Sequence, residues 1–477
     1  MTTTRTAYDS HVHYASLLQV AARLRARELT PVELIEALLA RVDQVDPVLR
    51  SYATVTADVA RAQAVTAEAE LAAGRYRGPL HGVPIAVKDL CFTAGIVTAA
   101  GTTIHSGYVP TYDSTVVQRL SEAGAILLGK LQLTEAAFAE HHPSVTPPQN
   151  PWNPDYWSGA SSSGSGVAVA AGLVFGSLGT DTGGSIRYPS AANGVTGIKP
   201  TWGRVSRHGM FALAASLDHI GPMARSAADA GAILGAIAGA DPHDPTAVPV
   251  PVPDYLADLD APIGDVRVGV DRGYNETRVD SVTIRMLDDV VAVLRRLGAT
   301  IVEVTLPDTS TINAMWSRYA GVEAAIAHQT TFPSRASEYG SVDTPGSIAG
   351  LVAQGHTVSG IELMHAHHER LAFTGGLIRT LCDVDVLLTP VQPTTSLTLA
   401  QKETLYADSD ALTDFLRFVT PFDMAGNPTI TLPGGFGEDD MPLGFQFVGR
   451  PFDEKLLIQL GHAYQRETDW HLRHPNL

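Results

Sequence analysis

Cysteine is nearly absent from this chain: Cys91 and Cys382 are the two among 477 residues. Two cysteines cannot build a disulfide framework, and a chain this long encloses enough interior to fold without staples or a structural metal. Both read as ordinary thiols of a reducing compartment. Positive charge is also scarce, with 33 Lys and Arg against 50 Asp and Glu for a net charge of −17. That balance speaks against a nucleic-acid or anionic-membrane surface, and no cluster of Lys and Arg stands against it. Long apolar runs are missing too; the longest, near VAVAAGLVFGSL, falls well short of a membrane span. The N-terminal MTTTRTAYDSHVHYASLLQV lacks the charged start, apolar run and small-residue cleavage site of a signal peptide. No internal repeat at solenoid periods is found. The expectation is a soluble, cytoplasmic, globular protein with no nucleic-acid or membrane partner.

What is present is a helix–strand alternation. Thr30-Pro31-Val32-Glu33 offers a capping Thr, a Pro at the first helical position and a Glu three residues after the cap, and LIEALLARVDQV then repeats apolar residues at helical spacing. HGVPIAVKDL reads as a short buried strand ending in a charged pair. STVVQRLSEAGAILLGKLQL and GSGVAVAAGLVFGSLGTDTGG each read as helix then strand, which points to an α/β sheet protein. DPHDPTAVPVPVPDY, from Asp241 to Tyr255, is either a domain linker or a semi-rigid surface crossing. Beyond it lie the strand DVRVGVDRGY, a mainly helical region from Asn313 to Phe415, the strands TITLPGGF and LGFQFVGR, and a closing helix.

The stretch WSGASSSGSG, Trp157 to Gly166, has a linker's composition but runs directly into VAVAAGLV, whose small residues suit a closely packed buried helix. It is no phosphate loop, because Ser165-Gly166 stand where Lys and Ser/Thr should follow the second glycine. It is no dinucleotide fingerprint, because Val169 occupies the third glycine position. No serine here sits in G-x-S-x-G, which disfavours a nucleophile elbow.

Its partners lie on both sides. VPIAVKDL upstream carries Lys88 at the end of an apolar strand, and GTDTGGSIRYPSAANG downstream carries Ser185 after two glycines. The order V-P-I-A-V-K-D, G-A-S-S-S-G-S-G-V-A-V-A-A-G, G-T-D-T-G-G-S-I-R resembles the amidase signature family. The likeness continues through GVTGIKPTWGRVSRHGMFALAASLDHIGPMARS and returns in DVLLTP, PFDMAGNPTITLPGGF and LGFQFVGRPFDE. It covers nearly the whole chain and is weakest between about Asp260 and Gly375. Ala160 and Ser163 stand where glycines are common in the family.

The resemblance implies a single amidase domain over residues 1–477. Its fold would be α/β/α, with a large mixed β-sheet covered by helices on both faces. The catalytic core would lie at about 75–230 and a substrate-pocket region at about 310–415. It also implies a Ser–cis-Ser–Lys triad: Ser185 as nucleophile, Ser161 as the bridging serine after a cis peptide bond, and Lys88 as base. The chemistry fits the residue types. A serine hydroxyl needs a base to become nucleophilic, and a lysine must be neutral to act as one. Burial at the end of an apolar strand is a way to lower its pKa. The backbone N–H groups of Thr182, Gly183, Gly184 and Ser185 would form the oxyanion hole. Ser162, Asp181 and Arg187 would support the loop by hydrogen bonds.

Further candidates concern the pocket walls and the histidines. His142, Trp157, Arg207 and Phe211 are expected at the pocket, with His141 and Trp152 nearby, although plain loop packing explains each as well. HVH at His11 and His13, and HAHHE with His365, His368 and Glu369, match no zinc motif and are read as chance clusters. No metal or cofactor is expected. The activity implied is hydrolysis of a small-molecule amide through an acyl-enzyme, with esters, aryl amides and carbamates (urethanes) accessible to the same machinery, by a monomer or homodimer. The rivals are the glutamine-hydrolysing component of an amidotransferase and a non-catalytic binding protein of the same fold.

Overall fold

Thr30 opens the helix Pro31–Leu49 as its sequence requires. Its hydroxyl accepts the Glu33 N–H at 3.2 Å, and the Glu33 carboxylate accepts the Thr30 N–H at 3.1 Å. The structure, a computed structural model, describes residues 12–477.

The described residues form one 11-stranded mixed sheet. In chain order its strands are β1 (Tyr52–Val55), β2 (Pro84–Lys88), β3 (Ile126–Leu131), β4 (Gly176–Asp181), β5 (Thr196–Lys199), β6 (His219–Ala224), β7 (Arg267–Val270), β8 (Thr300–Glu303), β9 (Val386–Pro390), β10 (Thr429–Phe436) and β11 (Pro442–Gly449). They lie side by side as β1-β3-β2-β4-β6-β5-β10-β11-β9-β7-β8. Every residue of β2, β4, β5, β6 and β9 is buried. Because successive side chains of a strand point to opposite faces, both faces of the sheet are covered there.

The Pro-rich segment is a surface crossing. Arg204 donates to the carbonyls of Val250 and Pro251 at 3.2 and 3.1 Å, and Tyr255 is buried against the body. Strands before and after it share the one sheet. Two features place the functional groups. β2 and β4 run parallel and adjacent, so their carboxyl ends, with Lys88 on one and Thr180 and Asp181 on the other, open side by side. Ligands in open α/β sheets bind outside such strand ends. The Ser/Gly stretch becomes the entry to the helix Ser163–Ala170, which is wholly buried. Gly164 shows why side chains are excluded there: a Cβ would lie 2.3 Å from the Ser51 carbonyl oxygen.

Candidate active site

Lys88 is fully buried, and its Nζ donates to three hydroxyls: Ser161 Oγ at 2.7 Å, Thr180 Oγ1 at 2.8 Å and Ser162 Oγ at 2.9 Å. The Ala160–Ser161 peptide bond is cis. Burial lowers the Lys88 pKa from 10.5 to about 7, against the opposing influence of Cys91, Asp181 and Asp218. Near neutral pH a large share of Lys88 therefore holds a lone pair that can accept a proton. Ser162 has its own proton committed, since its hydroxyl donates to the Thr180 carbonyl and accepts the Thr180 N–H, both at 3.2 Å. Ser161 Oγ carries no such second bond among the described residues and is the hydroxyl free to exchange a proton with Lys88. Cys91 lies nearby, but burial pushes its thiol up to about 11, so it stays neutral.

The turn after β4 is held from inside. The Asp181 carboxylate accepts the N–H groups of Gly184 at 2.7 Å and Ile186 at 2.9 Å, and pairs with the Arg187 guanidinium at 2.8 and 3.0 Å. Arg187 also reaches Asp423 at 2.6 Å and the Val419 carbonyl at 2.9 Å, all without solvent. Burial opposes the charge on Asp181, yet the Arg187 cation outweighs it and holds the carboxyl well below its ordinary range. This pairing gives the turn its shape.

Peptide carbonyls anchored on one side aim N–H groups to the other. Asp181 O faces His219 Nδ1 at 3.2 Å, Thr182 O accepts the Trp316 indole N–H at 2.7 Å, and Gly184 O accepts the Tyr188 N–H at 2.7 Å. In a trans peptide the N–H points opposite to the carbonyl. The N–H groups of Thr182, Gly183 and Ser185 are thus turned away from these anchors, and none has a protein acceptor among the described residues. The Gly184 N–H departs from the sequence expectation. It is spent on Asp181, which removes it from the free donors.

Ser185 is half-buried and lines a cavity of about 330 Å³ together with Thr182, Gly183 and Ala160. The walls are chiefly apolar and aromatic, including Phe138, Trp157, Tyr188, Trp316, Leu351 and Tyr406. Asp343 is the one charged side chain on the cavity among the described residues, and no Lys, Arg or His lines it.

Residues 33–458 match the family model described as Amidase. The chain belongs to the amidase family. It is 49% identical over 459 residues to the Mycobacterium tuberculosis protein named "Putative amidase AmiD", covering 96% of this chain and 95% of that one. It is 38% identical over 490 residues to the A chain of the glutamyl-tRNA(Gln) amidotransferase of Chloroflexus aggregans, covering 98% and 99%. Among solved structures it resembles the native peptide amidase of Stenotrophomonas maltophilia with a TM-score of 0.83 at 30% identity, over 97% of this chain and 98% of that one.

Within this amidase, Lys88, Ser161, Ser162, Asp181, Thr182, Gly183, Ser185 and Arg187 converge at one locus, and Trp157 stands in the cavity wall. Three other pocket candidates do not line it. His142 Nδ1 closes a local turn with Ser144, at 2.6 Å to its Oγ. Arg207 clasps the Pro-rich segment, donating its N–H to Asp244 at 2.8 Å and its guanidinium to Thr246 at 2.5 Å. Phe211 stacks on His105 and meets Phe92 edge-on in a separate aromatic cluster. His365 and His368 are exposed on the helix Gly360–Asp383, and His11 lies outside the described residues. Among the described residues no group of His, Cys, Asp or Glu is placed to hold a metal ion, and no helix is long and apolar enough to cross a membrane.

Sequence reasoning missed Thr180 and Trp316. A hydroxyl on a wholly buried strand is a signal for Thr180. Trp316 sits on the helix Ser310–Ala327, where the family resemblance is weakest, and nothing local marks it.

Proposed function

We propose that the chain hydrolyses the C–N bond of small, uncharged amides, with aryl amides and aryl carbamates as the favoured class, through an acyl-enzyme on Ser185. The observation that carries this reading is the fully buried Lys88, 2.7 Å from Ser161, whose neighbour Ala160 lines the same aromatic cavity as Ser185. Ser161 takes the Ser185 proton as it passes its own to neutral Lys88, and Ser185 Oγ bonds to the carbonyl carbon. The oxyanion is received by the free N–H groups of Thr182, Gly183 and Ser185. The proton then returns through Ser161 to the nitrogen, and the C–N bond breaks to release the amine. Water, deprotonated along the same path, bonds to the acyl carbon, and the bond to Ser185 Oγ breaks as the proton returns to it through Ser161. An amide yields a carboxylic acid; a carbamate yields a monoalkyl carbonate, which breaks down to alcohol and carbon dioxide.

The amidotransferase reading meets a charge problem. A glutamine substrate carries a carboxylate, and the cavity has no cation among its lining residues to pair with it. The test is amine release by the purified chain from a primary aliphatic amide, an anilide, an aryl carbamate and glutamine, with Ser185→Ala alongside. Turnover of the aryl substrates, abolished in the variant, is expected. Turnover of glutamine alone overturns the substrate assignment, and a fully active Ser185→Ala overturns the nucleophile.

A further inference from the structure

Three peptide units supply the free N–H groups at Ser185, and their carbonyl anchors differ in origin. Those of Asp181 and Gly184 are held by His219 and Tyr188, from the strand and helix that adjoin the turn. The carbonyl of Thr182 is held from far along the chain, by the indole N–H of Trp316 at 2.7 Å. Trp316 is 7% exposed, so water competes little for this bond. Its ring also lies on Gly183: a Cβ there would sit 2.5 Å from Cζ2, and the ring and the turn are in direct contact. The Thr182 side chain is tied down separately, its hydroxyl donating to Asp218 at 2.6 Å. The Thr182–Gly183 peptide is therefore gripped at its carbonyl, at its side chain and by the Nε1–Cζ2 edge of the indole.

We propose that Trp316 is a positioning residue for acyl transfer. By holding the Thr182 carbonyl it directs the Gly183 N–H into the oxyanion position, and with the same ring it forms the wall that the substrate meets. This rests on the reading of Ser185 as nucleophile. Two physical consequences follow. A carbonyl that accepts a hydrogen bond polarises its own peptide, which makes the N–H on the opposite side a better donor. A donor aimed before substrate arrives also needs no reorganisation when charge develops on the oxygen. Because Trp316 lines the cavity as well, a substrate that displaces the indole would disturb the donor too, so fit at the wall is converted into rate.

Removing an oxyanion donor outright lowers kcat by about 10²–10³. Trp316→Phe keeps an aromatic wall and frees one carbonyl, leaving the donor present but unaimed. The expected loss in kcat is about 10- to 100-fold, with KM changed by less than about threefold. A second variant carrying 3-benzothienylalanine at 316 replaces the indole N–H with sulfur at nearly unchanged shape, and separates hydrogen bonding from packing if Trp316→Phe folds poorly. Both are assayed against a boronic acid that forms a tetrahedral adduct on serine, and against a non-hydrolysable isostere without a carbonyl that mimics bound substrate. Boronate affinity should fall in parallel with kcat/KM, while ground-state affinity holds. Unchanged boronate affinity in the benzothienyl variant overturns the positioning role, as does an effect confined to KM. Wild-type enzyme that forms no boronate adduct, together with an active Ser185→Ala, overturns the nucleophile reading instead, so the two failures are distinguishable.

Discussion

Replacing Lys88 with methionine should do two opposite things: abolish turnover and make the protein more stable near neutral pH. Burial lowers the Lys88 pKa from 10.5 to about 7, which corresponds to about 5 kcal/mol that folding spends on keeping an ammonium out of water. In the unfolded chain the lysine keeps its ordinary value. Between pH 7 and about 10 the unfolded state therefore binds one more proton than the folded state, and stability rises with pH by about 1.4 kcal/mol per unit. Below about pH 7 both states are protonated and the whole burden is present; above about pH 10.5 it is gone. Lys88→Met removes the titration but leaves the hydroxyls of Ser161, Ser162 and Thr180 without the Nζ partner. Each loss opposes the gain by about 1 kcal/mol, at every pH alike. The stability difference between variant and wild type should thus shrink by about 2 kcal/mol from pH 7 to pH 9. Urea unfolding of both proteins at several pH values measures it, and titrations common to the two cancel. The wild-type rate reports the same group. kcat/KM should rise with unit slope below about pH 7 and level off above it, reaching about one-hundredth of its plateau at pH 5. A stability difference independent of pH, or an acid limb near pH 10, would refute the buried neutral lysine.

Two further substitutions probe its surroundings. Thr180→Val removes an acceptor 2.8 Å from Nζ. That disfavours the ammonium, so the acid limb of kcat/KM should move to lower pH by about half to one unit. An unmoved or raised limb counts against it. Arg187→Met strands Asp181 as a buried carboxylate without its cation, and takes the hydrogen-bond donor from Asp423, whose carboxyl burial already pushes well above its ordinary range. A loss of about 3–5 kcal/mol is expected in chemical denaturation, with activity falling as the Asp181-held turn loosens, and a loss under about 1 kcal/mol would contradict the pairing.

The parts of the site that sequence reveals are those whose chemistry is local. Lys88 closes an apolar strand, Ser161 stands just before a closely packed buried helix, and Ser185 follows two glycines in the turn after another strand. Three short motifs in a fixed order are enough to carry the family resemblance, and the parallel pairing of β2 with β4 then sets two of them beside one another. The errors have a different origin. Glycine permits close approach, which makes Gly184 look like an oxyanion donor, but donor direction is decided by what accepts the neighbouring groups, here the Asp181 carboxylate. Arg207 and Phe211 turn away from the cavity because Asp244 and Thr246 capture one and Phe92 and His105 the other.

Tertiary partners of this kind leave no trace in composition or spacing. The same holds for Trp316 and Tyr406, which wall the cavity from the mainly helical region that carries no catalytic motif. Reaction type is therefore encoded in strand ends and a tight turn, short segments that the pairing of β2 with β4 brings together. Substrate choice is encoded in side chains that reach the cavity from distant parts of the chain. Trp316 joins the two: its indole is a wall to the substrate and, through the Thr182 carbonyl, an anchor for the Gly183 N–H beside Ser185.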